Sequence, residues 1–440
     1  MMNNVLVQKT PGRHNVLEDF ADAIQRCVRC GACQAYCPAW SAGRREGDVA
    51  RGKVAVAAAM LAGELGRGAE LESAARQDIS LCLMCGSCTC GCPNDVPTAE
   101  IVGAIRREVA AEAGLSAVGV GVAALLGSKT LMRGVAAAGA ALAPLMMEKV
   151  PESSGLRLRF PLDRLPAVGE RILPAPAGKS LFARLPERIE GQPGRPKVAF
   201  FAGCAITWLF PQIGEKMVEV LVRLGCTVYL PKGQGCCGMP ALSSGDGPLV
   251  SRLASANVRA FAPLNVDYII TACASCGSGI GEYYHTMGGD SAILAKKVVD
   301  FTVFLEEEGV CERLAALPRA VKRQKVCWHD PCHLKNRGIL APPRHLLAAL
   351  PGVDFVEMEG ASRCCGLGGT FSVHHSEESL LIGEKKVEGV QECGAELVAT
   401  ACPGCVMQLE TSLCRAGLPA RAVHLLELFG EAELAALAND

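Results

Sequence analysis

Aromatic residues make up only 5% of the 440-residue chain, and charge of neither sign dominates, with 44 Lys and Arg against 45 Asp and Glu. A nucleic-acid binder needs a basic excess or an aromatic stacking platform, and this chain has neither. Long hydrophobic runs are also missing. The two most apolar stretches, Gly114–Ser128 and Gly134–Met147, are separated by Lys129 and Arg133. Each falls short of the ~20 residues that a spanning helix requires. Rich in Ala and Gly, they read as a helical pair packed inside the protein or against a partner subunit, with peripheral contact to a membrane face as the alternative. No G-x-G-x-x-G loop opens a strand–helix unit, so neither FAD nor NAD is expected on this chain. No Ser/His/Asp or paired-carboxylate constellation argues for hydrolysis. The start, Met1 to Asn15, lacks the basic-then-apolar pattern of a secretory signal.

What is abundant is cysteine: 24 residues. Disulfide-dense chains are usually small and secreted. A long chain with clustered C-x-x-C spacing points instead to metal ligation in a reducing compartment, hence the cytoplasm.

Two clusters of cysteine share one spacing. The first is Cys27-x2-Cys30-x2-Cys33-x3-Cys37-Pro38 and the second is Cys82-x2-Cys85-x2-Cys88-x3-Cys92-Pro93. This is the bacterial two-cluster ferredoxin spacing, in which the fourth cysteine of each run ligates the other cluster. One [4Fe-4S] cubane is therefore expected on Cys27, Cys30, Cys33 and Cys92, and a second on Cys82, Cys85, Cys88 and Cys37. Gly31 and Gly86 would permit the tight turn. Zinc, the competing reading, is usually held by paired C-x-x-C units and fits less well. The helix-forming stretch Asp48–Gly66 between the motifs suits a helical version of the domain. Cys90 is spare, and a buried, unligated thiol is its expected role.

The second half of the chain is a duplication. Cys204 recurs as Cys332 at an offset of 128 residues, and Cys236-Cys237-Gly238 recurs as Cys364-Cys365-Gly366 at the same offset. Cys273 and Cys276 recur as Cys402 and Cys405 at an offset of 129. Buried parallel strands are expected at Val198–Phe201 and Val266–Thr271. Helices are expected at Ile213–Leu224, Val250–Phe261, Leu346–Leu350 and Ser379–Val390. The fold class that follows is α/β: a helical two-cluster ferredoxin domain at 16–110, a helical connector ending in a Pro-rich linker at 111–195, and duplicated domains with mainly parallel sheets at 196–310 and 324–430. The cysteines follow the strands, where ligand crevices of such sheets lie.

The paired Cys-Cys-Gly repeats together with the ferredoxin motifs resemble the CCG-domain iron–sulfur oxidoreductases. These include the iron–sulfur subunits of glycolate and lactate oxidase complexes and the catalytic subunit of heterodisulfide reductase. The continuation Cys364 to Phe371, with His374 and His375 after it, and the stretch Ala295–Glu306 look like the hydroxy-acid branch. That resemblance implies an electron-transfer subunit that takes electrons from a partner FAD-containing dehydrogenase oxidising lactate or glycolate and passes them to a quinone or other carrier. In many such subunits the last cysteine pair of a repeat is reduced to one. Both pairs are intact here, as in heterodisulfide reductase, which reduces a disulfide at its CCG clusters. By that likeness each repeat would carry one further, noncubane [4Fe-4S] cluster, on Cys204, Cys236, Cys237, Cys273 and Cys276 and on Cys332, Cys364, Cys365, Cys402 and Cys405.

His329 and His333 bracket Cys332 and read as partners that tune a cluster's potential, and His374 and His375 follow a Gly-rich turn. Arg44, Arg45, Arg51 and Lys53 read as a solvated helix face. Cys226, Cys311, Cys327, Cys393 and Cys414 have no counterpart in the other repeat and are not expected to be ligands.

Overall fold

Short apolar runs alternate with amphipathic stretches from residue 188 onward, and in the computed structural model they build two sheets of matching topology. The structure describes residues 16–149, 156–158, 171–174 and 177–438. In the first repeat the strand Lys197–Phe201 (KVAFF) buries every residue after its lysine. A strand apolar on both faces needs cover on both, which favours a parallel sheet between helices. It pairs in parallel with Thr227–Tyr229 on one side and Tyr268–Thr271 on the other, and Val298–Asp300 follows. The second repeat has the order Arg421–His424, Leu397–Thr400, Gln324–Trp328, Val353–Val356, all parallel.

The helices start where the sequence allows. Asp246 caps Gly247–Phe261 through a bond from the Leu249 amide at 2.9 Å. The helix expected at Leu346–Leu350 runs Ala341–Ala349, because the prolines after Ala341 fit its first turn. The helix expected over Asp48–Gly66 is Ala50–Ala62, ended by Gly63 in the left-handed conformation.

One continuous apolar core spans both repeats. The ferredoxin-type segment has its own core, built from Leu17, Phe20, Val54, Met60 and the helix Thr98–Ala113. A third, small cluster joins them: Ala39, Leu81 and Leu83 pack against Cys364, Phe371 and Ile382 of the second repeat.

Two expectations for the connector change. The apolar stretches do form helices, Ala117–Gly127 and Lys129–Met146, but of the two expected placements, inside the protein or against a partner subunit, the first does not hold: they lie on the surface of this chain, with Ala123 and Leu126 resting against the core. Val120, Leu142 and Leu145 are exposed, because a face of Ala and Gly presents little apolar area to anchor. No single helix among the described residues is long and apolar enough to cross a membrane. The linker expected from Pro161 to Pro196 lies partly outside the described residues, yet its strand Arg188–Ile189 pairs antiparallel with Thr227–Tyr229 and forms the edge of the first sheet.

Candidate metal centres

The ferredoxin-type cysteines surround two recesses. Cys27, Cys30, Cys33 and Cys92 line the first, and Cys37, Cys82, Cys85 and Cys88 the second. Cys88 also borders the first recess, so the two share a wall. The loops bend alike. Arg29 and Met84 take up left-handed backbone conformations, and so do Gly31 and Gly86 two residues later. Arg29 and Met84 are uncommon residues for that region, and the strain is the cost of turning three sulfurs inward. Met84 N donates to Cys82 Sγ at 3.4 Å.

In each repeat the Cys-Cys-Gly glycine has a strongly positive φ, +98° at Gly238 and +100° at Gly366. The turn brings the glycine amide back onto the first cysteine: Gly238 N donates to Cys236 Sγ and Gly366 N to Cys364 Sγ, both at 3.4 Å. A Cβ at Gly366 would meet the Ser379 carbonyl at 2.5 Å, so only glycine fits.

The thiols of the three parts succeed one another as neighbours along one path. Cys204 meets Cys236, which meets Cys237, and Cys276 and Cys273 follow. Cys273 meets Cys402 of the second repeat. Cys402 meets Cys405, whose Sγ lies 3.7 Å from that of Cys365. Cys365 neighbours Cys364, and Cys364 and Cys332 lie nearest to Cys85 of the ferredoxin-type segment. Contacts from adjacent thiols hold Cys85, Cys237, Cys365 and Cys402 well below the ordinary thiol range. The same contacts, with burial, push Cys276 and Cys364 well above it. Burial takes Cys37 up to about 11. Thiolates crowded together and shielded from water need metal ions to balance them, and metal binding would release the remaining protons. Eight thiols about the two recesses, with Cys88 on the shared wall, and five per repeat suit iron–sulfur clusters.

The helix Cys332–Asn336 docks the second repeat onto the ferredoxin-type loop. Asn336 Nδ2 donates to the Cys85 carbonyl at 2.6 Å and Lys335 Nζ to Ser87 Oγ at 2.9 Å. Cys90, expected to be buried, is exposed in this seam and donates to Asn336 Oδ1 at 3.2 Å. Its place just outside the second recess follows from the turn that aims Cys88 and Cys92 inward.

The expected solvated basic face is only partly so. Lys53 is 2% exposed and lines the second recess, donating to the carbonyls of Gly47 at 2.8 Å and Asp48 at 2.6 Å. No sequence signal marked it, because one turn of helix turns a lysine from solvent to core. Arg51 pairs with Glu46 at 2.7 Å and reaches back to the Arg29 carbonyl. Arg45 pairs with Asp48 at 2.8 Å.

The histidines divide. His374 and His375 are junction residues, 3.2 Å from Ser116 Oγ and 2.8 Å from Ser80 Oγ. His333 Nδ1 lies 3.1 Å from Ser275 Oγ of the first repeat. His329 faces Cys365 and Cys405. Of the unmatched cysteines, Cys226 is buried just ahead of the strand Thr227–Tyr229, with burial pushing its thiol up to about 12, and Cys327 lies against Met358.

His424, which sequence reasoning passed over, ties the repeats together. Its Nε2 donates to the Ala272 carbonyl at 2.9 Å, next to Cys273, and its Nδ1 accepts from Leu426 N. Burial lowers its pKa from 6.5 to about 4. Between those values the unfolded chain takes up a proton that the folded chain refuses. The contribution to stability is therefore complete above about pH 6.5 and is lost as pH falls towards 4, at roughly 1.4 kcal/mol per pH unit. Replacing His424 with Phe is expected to flatten this acid limb. Denaturant midpoints of both proteins at pH 7 and pH 5 check it, and equal losses in the two would contradict it.

The comparisons with known proteins agree with this geometry. The cysteine-rich domain family matches residues 198–281 and 326–410, and the 4Fe-4S dicluster domain family matches residues 23–96. The "Probable glycolate oxidase iron-sulfur subunit" of Bacillus subtilis is 30% identical over 93% of this chain and 94% of its own length. The "Lactate utilization protein A" of Geobacillus kaustophilus is 32% identical, aligning 53% of this chain with 98% of its own length. A subunit of the fumarate reductase (CoM/CoB) of Methanothermobacter marburgensis is 33% identical over 54% of this chain and 47% of its own length. With both domain types matched and a relative aligned almost end to end, the chain belongs to the CCG-domain iron–sulfur oxidoreductases and is an electron-transferring iron–sulfur protein.

Proposed function

We propose that this chain is the electron-transfer subunit of a flavin-dependent 2-hydroxy-acid dehydrogenase acting on lactate or glycolate. Electrons enter from a partner FAD-containing dehydrogenase and leave towards a quinone or another carrier. The observation that carries this reading is the succession of neighbouring thiols from the second ferredoxin-type recess through the second repeat into the first. The names of the Bacillus and Geobacillus relatives supply the hydroxy acids.

Two cubanes would sit on Cys27, Cys30, Cys33 and Cys92 and on Cys82, Cys85, Cys88 and Cys37, with one further centre on each set of five CCG thiols. Such clusters supply one-electron carriers. The chain's own part is to grip iron through thiolates, exclude water and set the potentials. Amide donors to sulfur at Met84, Gly238 and Gly366 and the buried Lys53 stabilise added negative charge.

Two measurements test the reading. Iron and acid-labile sulfide should approach about sixteen of each per chain with every site filled by a four-iron cluster. Lactate- or glycolate-dependent dye reduction with the co-purified flavoprotein should vanish in Cys33→Ser, and an unchanged rate would refute the path. Replacing Lys53 with Met removes a cation beside the second recess. It is expected to lower that cubane's potential by about 60 mV, the one-electron equivalent of a tenfold change. An EPR-monitored redox titration reads the shift, and a rise or no change would dismiss the role assigned to Lys53.

A second reading has one observation in its favour. Both repeats keep all five thiols, and Cys273 and Cys402 face each other across the repeat boundary. A disulfide substrate reduced there in two one-electron steps would suit a heterodisulfide reductase-like subunit. Disulfide-dependent oxidation of the reduced protein, with no response to hydroxy acids, would favour it.

A further inference from the structure

We infer that His329 is a nitrogen ligand to iron in the second CCG centre, giving that centre a donor the first lacks. His329 is completely buried, and neither Nδ1 nor Nε2 has an oxygen or nitrogen partner; the polar group its ring meets is the Cys365 thiol. A buried imidazole whose one polar neighbour is a thiol leaves at least one ring nitrogen unsatisfied, and native proteins rarely tolerate that. One ring nitrogen and the sulfurs of Cys365 and Cys405 all lie within 4.8 Å of one another. Donors at such separations can share one metal ion with modest adjustment, given bonds of about 2.0 Å to nitrogen and 2.3 Å to sulfur. The ring's place is set by the backbone: His329 N donates to the Ala399 carbonyl at 2.9 Å, and Thr400 Oγ1 donates to the His329 carbonyl at 3.2 Å.

The duplication provides an internal contrast. At the offset relating Cys204 to Cys332, His329 corresponds to Phe201. The Phe201 ring is buried against Phe261, with centroids 5.7 Å apart, and has no donor to offer. The two repeats share five thiols each and differ in this sixth group. Coordination uses the neutral imidazole's lone pair and transfers no electron.

The inference rests on the proposed reading of the second repeat as a cluster site, and the experiment separates the two. Full-length holoprotein is produced with 15N-labelled histidine and studied by pulsed EPR, following the signal that disappears in Cys405→Ser. A directly bonded 15N coupling is expected in the unaltered protein. It should be lost in His329→Phe, which copies the first repeat, and kept in His333→Ala. The His329→Phe protein should still carry iron on the remaining five thiols, with its circular dichroism unchanged. A second-centre signal without bonded nitrogen, or a coupling that survives in His329→Phe, overturns the inference while the cluster reading stands. A Cys405→Ser protein that keeps all its iron and every EPR signal would overturn both.

Discussion

Serine at position 332 is expected to slow electron exchange between the ferredoxin-type cubanes and the CCG centres by at least about 100-fold. That factor is the upper end seen when a group that merely supports a metal ligand is removed, and Cys332 is assigned as a ligand itself. Cys332 is also where the path narrows. Its side chain and that of Cys364 are the repeat thiols nearest Cys85, so they bridge the second ferredoxin recess and the repeats. Freeze-quench EPR after mixing with a reductant should show the cubanes reducing normally while the CCG signals lag. Cys204→Ser at the far end of the run should leave the exchange between the cubanes and the second centre untouched. A Cys332→Ser protein that equilibrates all its centres at the unaltered rate would remove the second repeat from the route.

The largest effect on stability is expected from Arg106. Its guanidinium donates to four carbonyls: Cys82 at 2.7 Å, Ile79 at 2.9 Å, Ser80 at 3.0 Å and Ser243 at 3.0 Å. Three belong to the approach to the second ferredoxin motif and the fourth to the first repeat, so one side chain holds the Cys82 loop against the rest of the molecule. Hydrogen bonds from a charged donor contribute about 1.5–3 kcal/mol each, and carbonyls left unpaired add a desolvation cost. Arg106→Ala should destabilise the protein by about 3 kcal/mol or more, read as a lower denaturant midpoint, and should reduce retained iron. Lysine should rescue it poorly, because three rotating donors cannot reproduce the planar fork. An alanine variant with the parent's midpoint and iron content would show that the loop is held by other contacts.

These two residues were unequally legible in the sequence. Cys332 announced itself through the duplication, as did its counterparts among the CCG thiols. Arg106 lay within an ordinary helical stretch, with nothing in its neighbours to separate it from a surface arginine. The same divide runs through the site. Spacing alone located the cysteine loops, since a loop of two or three residues between ligands is a local matter. Lys53 and Cys90 went the wrong way because their burial depends on what packs above them. The hydrophobicity of the connector implies packing inside the protein or against a partner subunit, and its Ala- and Gly-rich helices lie on the surface of this chain.

By itself the sequence determined the cysteine motifs, the duplication and the alternation of strand and helix, because each is written in spacing or periodicity along the chain. Only the tertiary structure decided that the ferredoxin-type segment docks on the second repeat, that Cys273 faces Cys402, and that the imidazole of His329 stands beside Cys365 and Cys405 where the first repeat has a phenyl ring. Those pairings join segments far apart along the chain. They depend on how apolar surfaces such as Leu81 and Leu83 against Phe371 and Ile382 close on one another, which no local pattern encodes.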